Sequence, residues 1–330
     1  MREWRLTTGD PLAMRFAADA RLTVTNYADD QTWELAFGDS SEPAFSVQTR
    51  YGGRVGLARV VPMIVIEGRT PIYEAGSFAE RPVLRAFAPN YARLSARPLT
   101  TLDLDFELWV MESREVGGRF TFTNKVAQPQ ALRLELFGQI APLEGKPPVM
   151  NLLGLDDGTE ALHLGKLGGL NPVLMLEFAV PGQPPAPVVA WEAPRTSPKL
   201  SAPITVPANG SLAVRWVHAG YSSVEDSLKN AYQRLYKSAW DEEIAKIPDL
   251  PVIETGNADW DATIAFTGVV TLRSFISGNS LPHPTLVAAR IPSRGFSAHG
   301  DGSDHGRQWN GASAYLTYLA APSAAILAPE

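Results

Sequence analysis

Thirteen residues near the C-terminal end, HGDGSDHGRQWNG from His299 to Gly311, hold two histidines, two aspartates, an arginine, a tryptophan and four glycines. Nothing else in the chain is so dense in groups that move protons, ligate metal or stack on sugars. Cleaving a glycosidic bond takes two carboxyl groups flanking it, one kept protonated by burial or by a like charge nearby. Asp301 and Asp304 are the candidate catalytic carboxylates. Arg307 has the planar fork that orients a carboxylate or a sugar hydroxyl. Trp309 offers a flat wall for a sugar ring, and His299, His305 and Asn310 complete the candidate substrate-binding set. Two plainer readings use the same residues. Aspartate and glycine are loop formers, and Asx turns alone would account for Asp301 and Asp304. His299, Asp301, Asp304 and His305 are also metal-ligand types, but their spacing matches neither H-E-x-x-H nor an EF-hand loop, so no metal is assigned.

Other chemistries lack their signatures. No G-x-G-x-x-G leads into a helix, and no Walker loop or G-x-S-x-G occurs, so neither a nucleotide cofactor nor serine-hydrolase chemistry is expected. The absence of cysteine excludes disulfides, thiolate metal sites and cysteine nucleophiles. His163, His218 and His283 stand alone, and His218, after Trp216 and Val217, reads as structural. With 29 Lys and Arg against 35 Asp and Glu, the net charge is −6 and there is no long basic run. Nucleic acid and anionic membrane are therefore not the expected partners. The longest apolar stretches, such as VVPMIVI, fall far short of the ~20 residues of a membrane span. The N-terminal MREWRLTTGDPLAM lacks the apolar region of a secretory signal, which leaves a cytoplasmic location as the expectation.

Two kinds of sequence must position the loop. As far as about residue 220, runs such as RLTVTN, GRFTFTN, LRLELFG, VLMLEFAV and LAVRWVHAG are rich in leucine, β-branched and aromatic residues. In LRLELFG, Leu132, Leu134 and Leu136 share one face and Arg133 and Glu135 the other, the period of two of a strand. Breakers such as EGKPP, PGQPPAP and PANG divide the runs. The pattern predicts a large antiparallel sandwich over residues 1–220. Ser222 and Glu225 then have capping-box spacing, and Val224, Leu228, Ala231, Leu235 and Ala239 recur at helical intervals. One long linker helix is predicted over 221–250. A second helix follows Asn257 or Asp259 and stops at Gly278, and a third runs from about Trp309 to Ala321 and stops at Pro322. The motif lies in the roughly thirty-residue connection between these two, far above the ~4–6 residue median, and such loops are commonly functional. Trp109, Trp216, Trp240 and Trp260 read as core.

A β-sandwich, a linking helix and a helical segment opening on Trp260-Asp261 are similar to the front of the sandwich-plus-(α/α)6-toroid enzymes. These are the glucoamylase-like and glycogen-debranching-like hydrolases and the maltose and cellobiose phosphorylases. GRFTFTN, LRLELFG, VRWVHAGYSSVEDSLKNAYQRLYKSAWDEEI and ADWDATIAF…DGSDHGRQWNG carry the resemblance. It implies a mainly β fold with C-terminal α: a supersandwich-like domain, a linker helix, and over 251–330 the first helices of an incomplete toroid. The implied activity is hydrolysis of an α-linked oligosaccharide; phosphorolysis and a non-catalytic carbohydrate-binding sandwich are the alternatives. In the resembling families the catalytic carboxylates usually come later in the toroid. The 80 residues after residue 250 cannot enclose much core, so either they dock onto the sandwich or, the preferred expectation, the chain is the front part of a larger protein. Uncovered apolar helix faces would then promote self-association.

Overall fold

The computed structural model describes residues 1–7, 13–16, 33–51, 55–112, 114–142, 144–155, 159–177, 199–247, 249, 251–276, 285–286 and 314–327. Among them the strands are β1 (Leu6–Thr7), β2 (Ala13–Phe16), β3 (Trp33–Phe37), β4 (Phe45–Thr49), β5 (Leu57–Val65), β6 (Glu80–Ala88), β7 (Tyr91–Leu99) and β8 (Leu102–Glu112). There follow β9 (Glu115–Asn124), β10 (Gln130–Ala141), β11 (Asn151–Gly154), β12 (Glu160–His163), β13 (Asn171–Leu176), β14 (Lys199–Val206) and β15 (Ser211–Tyr221). These fifteen strands form a nine-stranded sheet, β1-β6-β7-β8-β9-β15-β13-β12-β11, facing a six-stranded sheet, β14-β10-β5-β4-β3-β2, while β16 (Phe275–Ile276) and β17 (Thr285–Leu286) pair in a separate two-stranded sheet.

Alternation along β8 shows why the sheets close on each other. Leu102, Leu104, Phe106, Leu108 and Val110 enter the core between the sheets, while Asp103, Asp105, Glu107 and Trp109 take the outer face. Phe106 meets Phe45 of the opposite sheet and Phe120 of β9, each with ring centroids 4.8 Å apart. Burying each such side chain is worth about 1.5–3 kcal/mol, so this face dictates the register. Leu132, Leu134 and Leu136 of β10 are buried in the same core. Their alternates are not simply solvated, because Glu135 is also buried and is held by Lys199 and Arg133.

The outer face of the nine-stranded sheet has a smaller apolar cluster of its own, built with α1 (Val224–Lys237) and α2 (Trp240–Ala245). The predicted single linker helix is thus two helices. Ser223, not Ser222, is the N-cap: its hydroxyl accepts from the Asp226 N–H at 3.0 Å and donates to the Asp226 carboxylate. Ser227, Ala231 and Leu235, four residues apart, are the buried stripe. The helix breaks at Ser238 because Trp240 turns back beneath it. The Trp240 indole N–H donates to the Arg234 carbonyl at 2.6 Å, satisfying a helix-end acceptor, and its ring meets Trp109 edge-on at 5.7 Å.

Two consecutive glycines make room for these tryptophans. A Cβ on Gly117 would stand 2.8 Å from the Trp240 ring, and one on Gly118 would stand 2.4 Å from the Trp216 indole nitrogen. Gly117 yields to the outer layer and Gly118 to the inner one.

Helix α3 (Ala258–Leu272) is capped by Asn257, which accepts from the N–H groups of Asp259 and Trp260. Ala265 and Val269 join the inter-sheet core, and Phe266 meets Phe87, which stacks on Trp4. Helix α3 ends at Leu272, short of Gly278, and α4 is Ala314–Leu327 with Pro322 inside it. Proline there removes one backbone donor, and the apolar, alanine-rich run on both sides carries the helix past it. Trp260 is not core: it is 65% exposed, because the packed face of α3 is that of Asp261, Ala262, Ala265, Val269 and Leu272. Ile264, Tyr318, Leu319 and Ile326 are exposed as well. Among the described residues no helix is long and apolar enough to cross a membrane.

Candidate functional site

His299, Asp301, Asp304, His305, Arg307, Trp309 and Asn310 all lie outside the described residues, as do His283 and the RLTVTN run. The described residues bring together three other groups of reactive side chains, none of them marked as a site by the sequence.

Beside α2, Arg119, Glu177, Arg215, Ser238, Trp240 and Asp241 line a cleft of about 470 Å³ on the outer face of the nine-stranded sheet. Arg119 donates to Glu107 at 2.5 Å and to Asp241 at 2.8 Å, and Tyr91 also donates to Glu107 at 2.7 Å. Arg215 grips Glu177 through two nitrogens and lies 5.6 Å from the Trp240 ring centre. Burial works against the Arg119 charge, but the hydrogen bonds and charges of Glu107 and Asp241 outweigh it and push its pKa up. Trp240 is only 3% exposed and already carries a guanidinium, so it presents no free face to a sugar. The cleft is a polar wall with paired charges, suited to shaping a binding surface rather than to moving protons.

Where α1 meets the sheet, Glu112 and Glu115 converge on one phenol. The Tyr221 hydroxyl contacts the carboxylates of both, the latter at 2.5 Å, while Arg234 donates to Glu115 at 2.5 Å. A phenol has one proton to donate. With both carboxylates ionised, one of its contacts sets oxygen against oxygen. Burial pushes the Glu115 carboxyl up, and the Glu112 charge adds to this, against the opposing pull of Arg234. Paired carboxylates with one held protonated are the elements of acid–base chemistry. Glu115 is 1% exposed, however, and sealed beneath α1, so the pair clamps the helix to the sheet and is closed to a substrate.

His218 points into the inter-sheet core. Its Nε2 is 2.6 Å from the Tyr51 hydroxyl and its ring packs edge-on against Trp33 at 5.0 Å. Tyr51 has φ 48°, the left-handed region that costs a non-glycine residue strain, and its N–H donates to the Thr49 hydroxyl at 3.2 Å. Complete burial pushes the imidazole down to about 3, so it is neutral at physiological pH. This matches the structural role read from its sequence neighbours.

The GG step at Gly117 and Gly118 was the legible signal for the tryptophan layers, because glycine inside a strand pattern marks close approach. The Glu112–Tyr221–Glu115–Arg234 grouping had no such signal, since Tyr221 and Arg234 lie more than 100 residues beyond the two glutamates.

No protein-family model matches the chain, and no curated protein matches it. Solved structures do. A bacterial glucoamylase complexed with acarbose matches with a TM-score of 0.52 at 9% identity, over 83% of this chain and 42% of that one. A candidate kojibiose phosphorylase from the human microbiome matches with a TM-score of 0.48 at 8% identity, over 83% and 43%. The chain spans about two fifths of the length of these two proteins. At 9% identity the likeness to the glucoamylase is one of fold.

Proposed function

We propose that the chain supplies the sandwich, linker and first toroid helices of a carbohydrate-active enzyme that hydrolyses an α-linked oligosaccharide. The fold shared with a bacterial glucoamylase, over 83% of the chain, carries this reading. Three divisions go with it: a sandwich over 1–220, a helical linker over 221–250 and toroid helices from 251. The sandwich shapes one wall of the substrate cleft. His299, His305, Arg307, Trp309 and Asn310 face the sugar, and Asp301 or Asp304 serves as a reacting carboxylate. A glycosidase needs a second carboxylate across the ring, which in this reading comes from toroid helices outside the 330 residues. The bare apolar side chains of α3 and α4, Trp260, Ile264, Tyr318, Leu319 and Ile326, are those that further helices would cover.

The test is sugar release from maltooligosaccharides, and from β-linked glucans as controls, by the longest form of the protein expressed from its gene. Turnover of the α-linked substrates in phosphate-free buffer is expected. Turnover only with phosphate would make the enzyme a phosphorylase, and neither binding nor turnover of any oligosaccharide would overturn the proposal.

A further inference from the structure

At the other end of the same outer face, across β1, β6, β7 and β8, lies a trough of about 530 Å³. Four arginines line it: Arg5, Arg81, Arg85 and Arg97. Arg97 is spoken for, bound to Glu80 and to Asp103, with Lys125 also on Asp103 at 2.5 Å. The other three guanidiniums have no carboxylate partner among the described residues. Arg85 donates through Nε to the Ser95 hydroxyl at 2.7 Å, which fixes its plane and leaves its two outer nitrogens uncommitted. Pairing of β1 with β6 at Leu6–Leu84, and the Trp4 N–H donating to the Arg85 carbonyl at 2.6 Å, bring Arg5 and Arg85 to the same corner of the sheet. Like charges gathered in the lining of one trough repel each other. An oxyanion between them reverses the sign of that term and matches the bidentate geometry of guanidinium.

The floor of the trough supplies the second half of the argument. Asp105, paired in register with Ser95, is half-buried and makes neither a hydrogen bond nor an ion pair among the described residues. Burial raises its pKa, helped by the charges of Glu107 and Asp103 and opposed by those of Arg93 and Arg85. A carboxyl and a hydroxyl side by side, beside three guanidiniums that form no ion pair among the described residues, present acceptors and donors to a ligand that carries both hydroxyls and a negative charge.

We propose that this trough binds an anionic saccharide, a sugar bearing a carboxylate, sulfate or phosphate. Arg5, Arg81 and Arg85 hold the oxyanion, and Asp105 and Ser95 hold ring hydroxyls. The oxyanion half stands on the arginines alone, whereas the saccharide half rests on the carbohydrate reading above. The trough is separate from the cleavage residues of that reading, so either can fail while the other stands.

Calorimetric titration of the 330-residue chain with glucose 6-phosphate, glucuronic acid, inorganic phosphate and glucose tests the proposal. Both charged sugars should bind at least about tenfold more tightly than glucose, the worth of one charge-assisted contact. Added salt should weaken them, because the trough is open to solvent. Arg85→Gln and Arg81→Gln should each weaken glucose 6-phosphate about tenfold, with melting curves confirming that the variants fold. Asp105→Asn should weaken glucose 6-phosphate without weakening inorganic phosphate. Binding of glucose as tight as that of the charged sugars, no binding of any probe, or wild-type affinity in both folded arginine variants would overturn the site. Inorganic phosphate binding as tightly as glucose 6-phosphate, with Asp105→Asn neutral, would overturn the saccharide half.

Discussion

Arg234 of α1 holds Glu115 of β9 at 2.5 Å, joining a helix to a carboxylate that is 1% exposed. Through Tyr221 the same grip reaches Glu112 at the end of β8. The linker is therefore part of the sandwich's outer layer, fixed by the clamp and by Trp240 and Leu235 in the apolar cluster beneath it.

The clamp has a pH signature. The folded pKa of Glu115 is raised, by burial first and by Glu112 second, above that of the unfolded chain. Its contribution is then complete below the unfolded value of about 4.3 and is lost as pH rises through the folded pKa. In urea titrations Glu115→Gln should abolish this loss, making the variant's stability flatter than wild type as pH rises through that window. An unchanged pH slope in the variant would remove Glu115 as the titrating group.

His218 works in the opposite direction. Its pKa is pushed down to about 3 in the folded protein, from an unfolded value near 6.5. Its contribution is present above the unfolded value and lost as pH falls, by about 1.4 kcal/mol per pH unit for a single proton. His218→Gln should be less stable at neutral pH, having lost the Tyr51 contact, yet lose less stability from pH 6 to pH 4. A variant as acid-sensitive as wild type would contradict the buried neutral imidazole.

Gly117→Ala and Gly118→Ala should each destabilise the protein by about 1–3 kcal/mol, the usual cost of forcing atoms into a filled core. Gly118→Ala should be the worse. Its Cβ would meet the Glu107 backbone oxygen at 2.5 Å as well as the Trp216 indole, and backbone cannot step aside. Equilibrium urea unfolding measures both, and wild-type midpoints would mean that the two tryptophan layers are not as close as described.

Limited proteolysis should leave a core fragment that keeps α1 and α2 and ends beyond Ile247, which is itself buried on the outer face. A stable fragment ending near Tyr221 would show that the helices are dispensable to the sandwich. Mass spectrometry of the resistant fragment decides between them.

The strands were legible because the core imposes period two on long runs: Leu132, Leu134 and Leu136 announce their face, as do Leu104, Phe106 and Leu108. The helix after Ser222 was legible for the same reason at a different period. The break at Ser238 was not, because Ala239 continues the apolar spacing and only the folding back of Trp240 beneath α1 ends the helix. Trp260 misled for a different reason: its apolar character suggested core, while α3 packs through Ala262, Ala265, Val269 and Leu272 and leaves Trp260 uncovered. Pro322 reads as a stop by local rules, but one missing donor does not end a helix with strong formers on both sides. The arginine trough was hidden because strand register gathers it from several strands, and the Glu112–Glu115 clamp because its partners Tyr221 and Arg234 lie more than 100 residues further on. The loop with Asp301 and Asp304 stood out by composition alone.

Under the proposed function this loop contacts the sugar of an α-linked oligosaccharide. Steady-state kinetics on maltooligosaccharides, using the longest expressed form with Asp304→Asn and Trp309→Ala, tests it most directly. Trp309→Ala should act mainly by raising KM, through lost ring stacking, and Asp304→Asn should lower kcat if its carboxylate acts in the transition state. Melting curves at wild-type temperature would show the sandwich intact in both. Wild-type kcat and KM in both variants would contradict the claim, and so would appreciable hydrolysis by the 330-residue chain alone, in which this account supplies no opposing carboxylate.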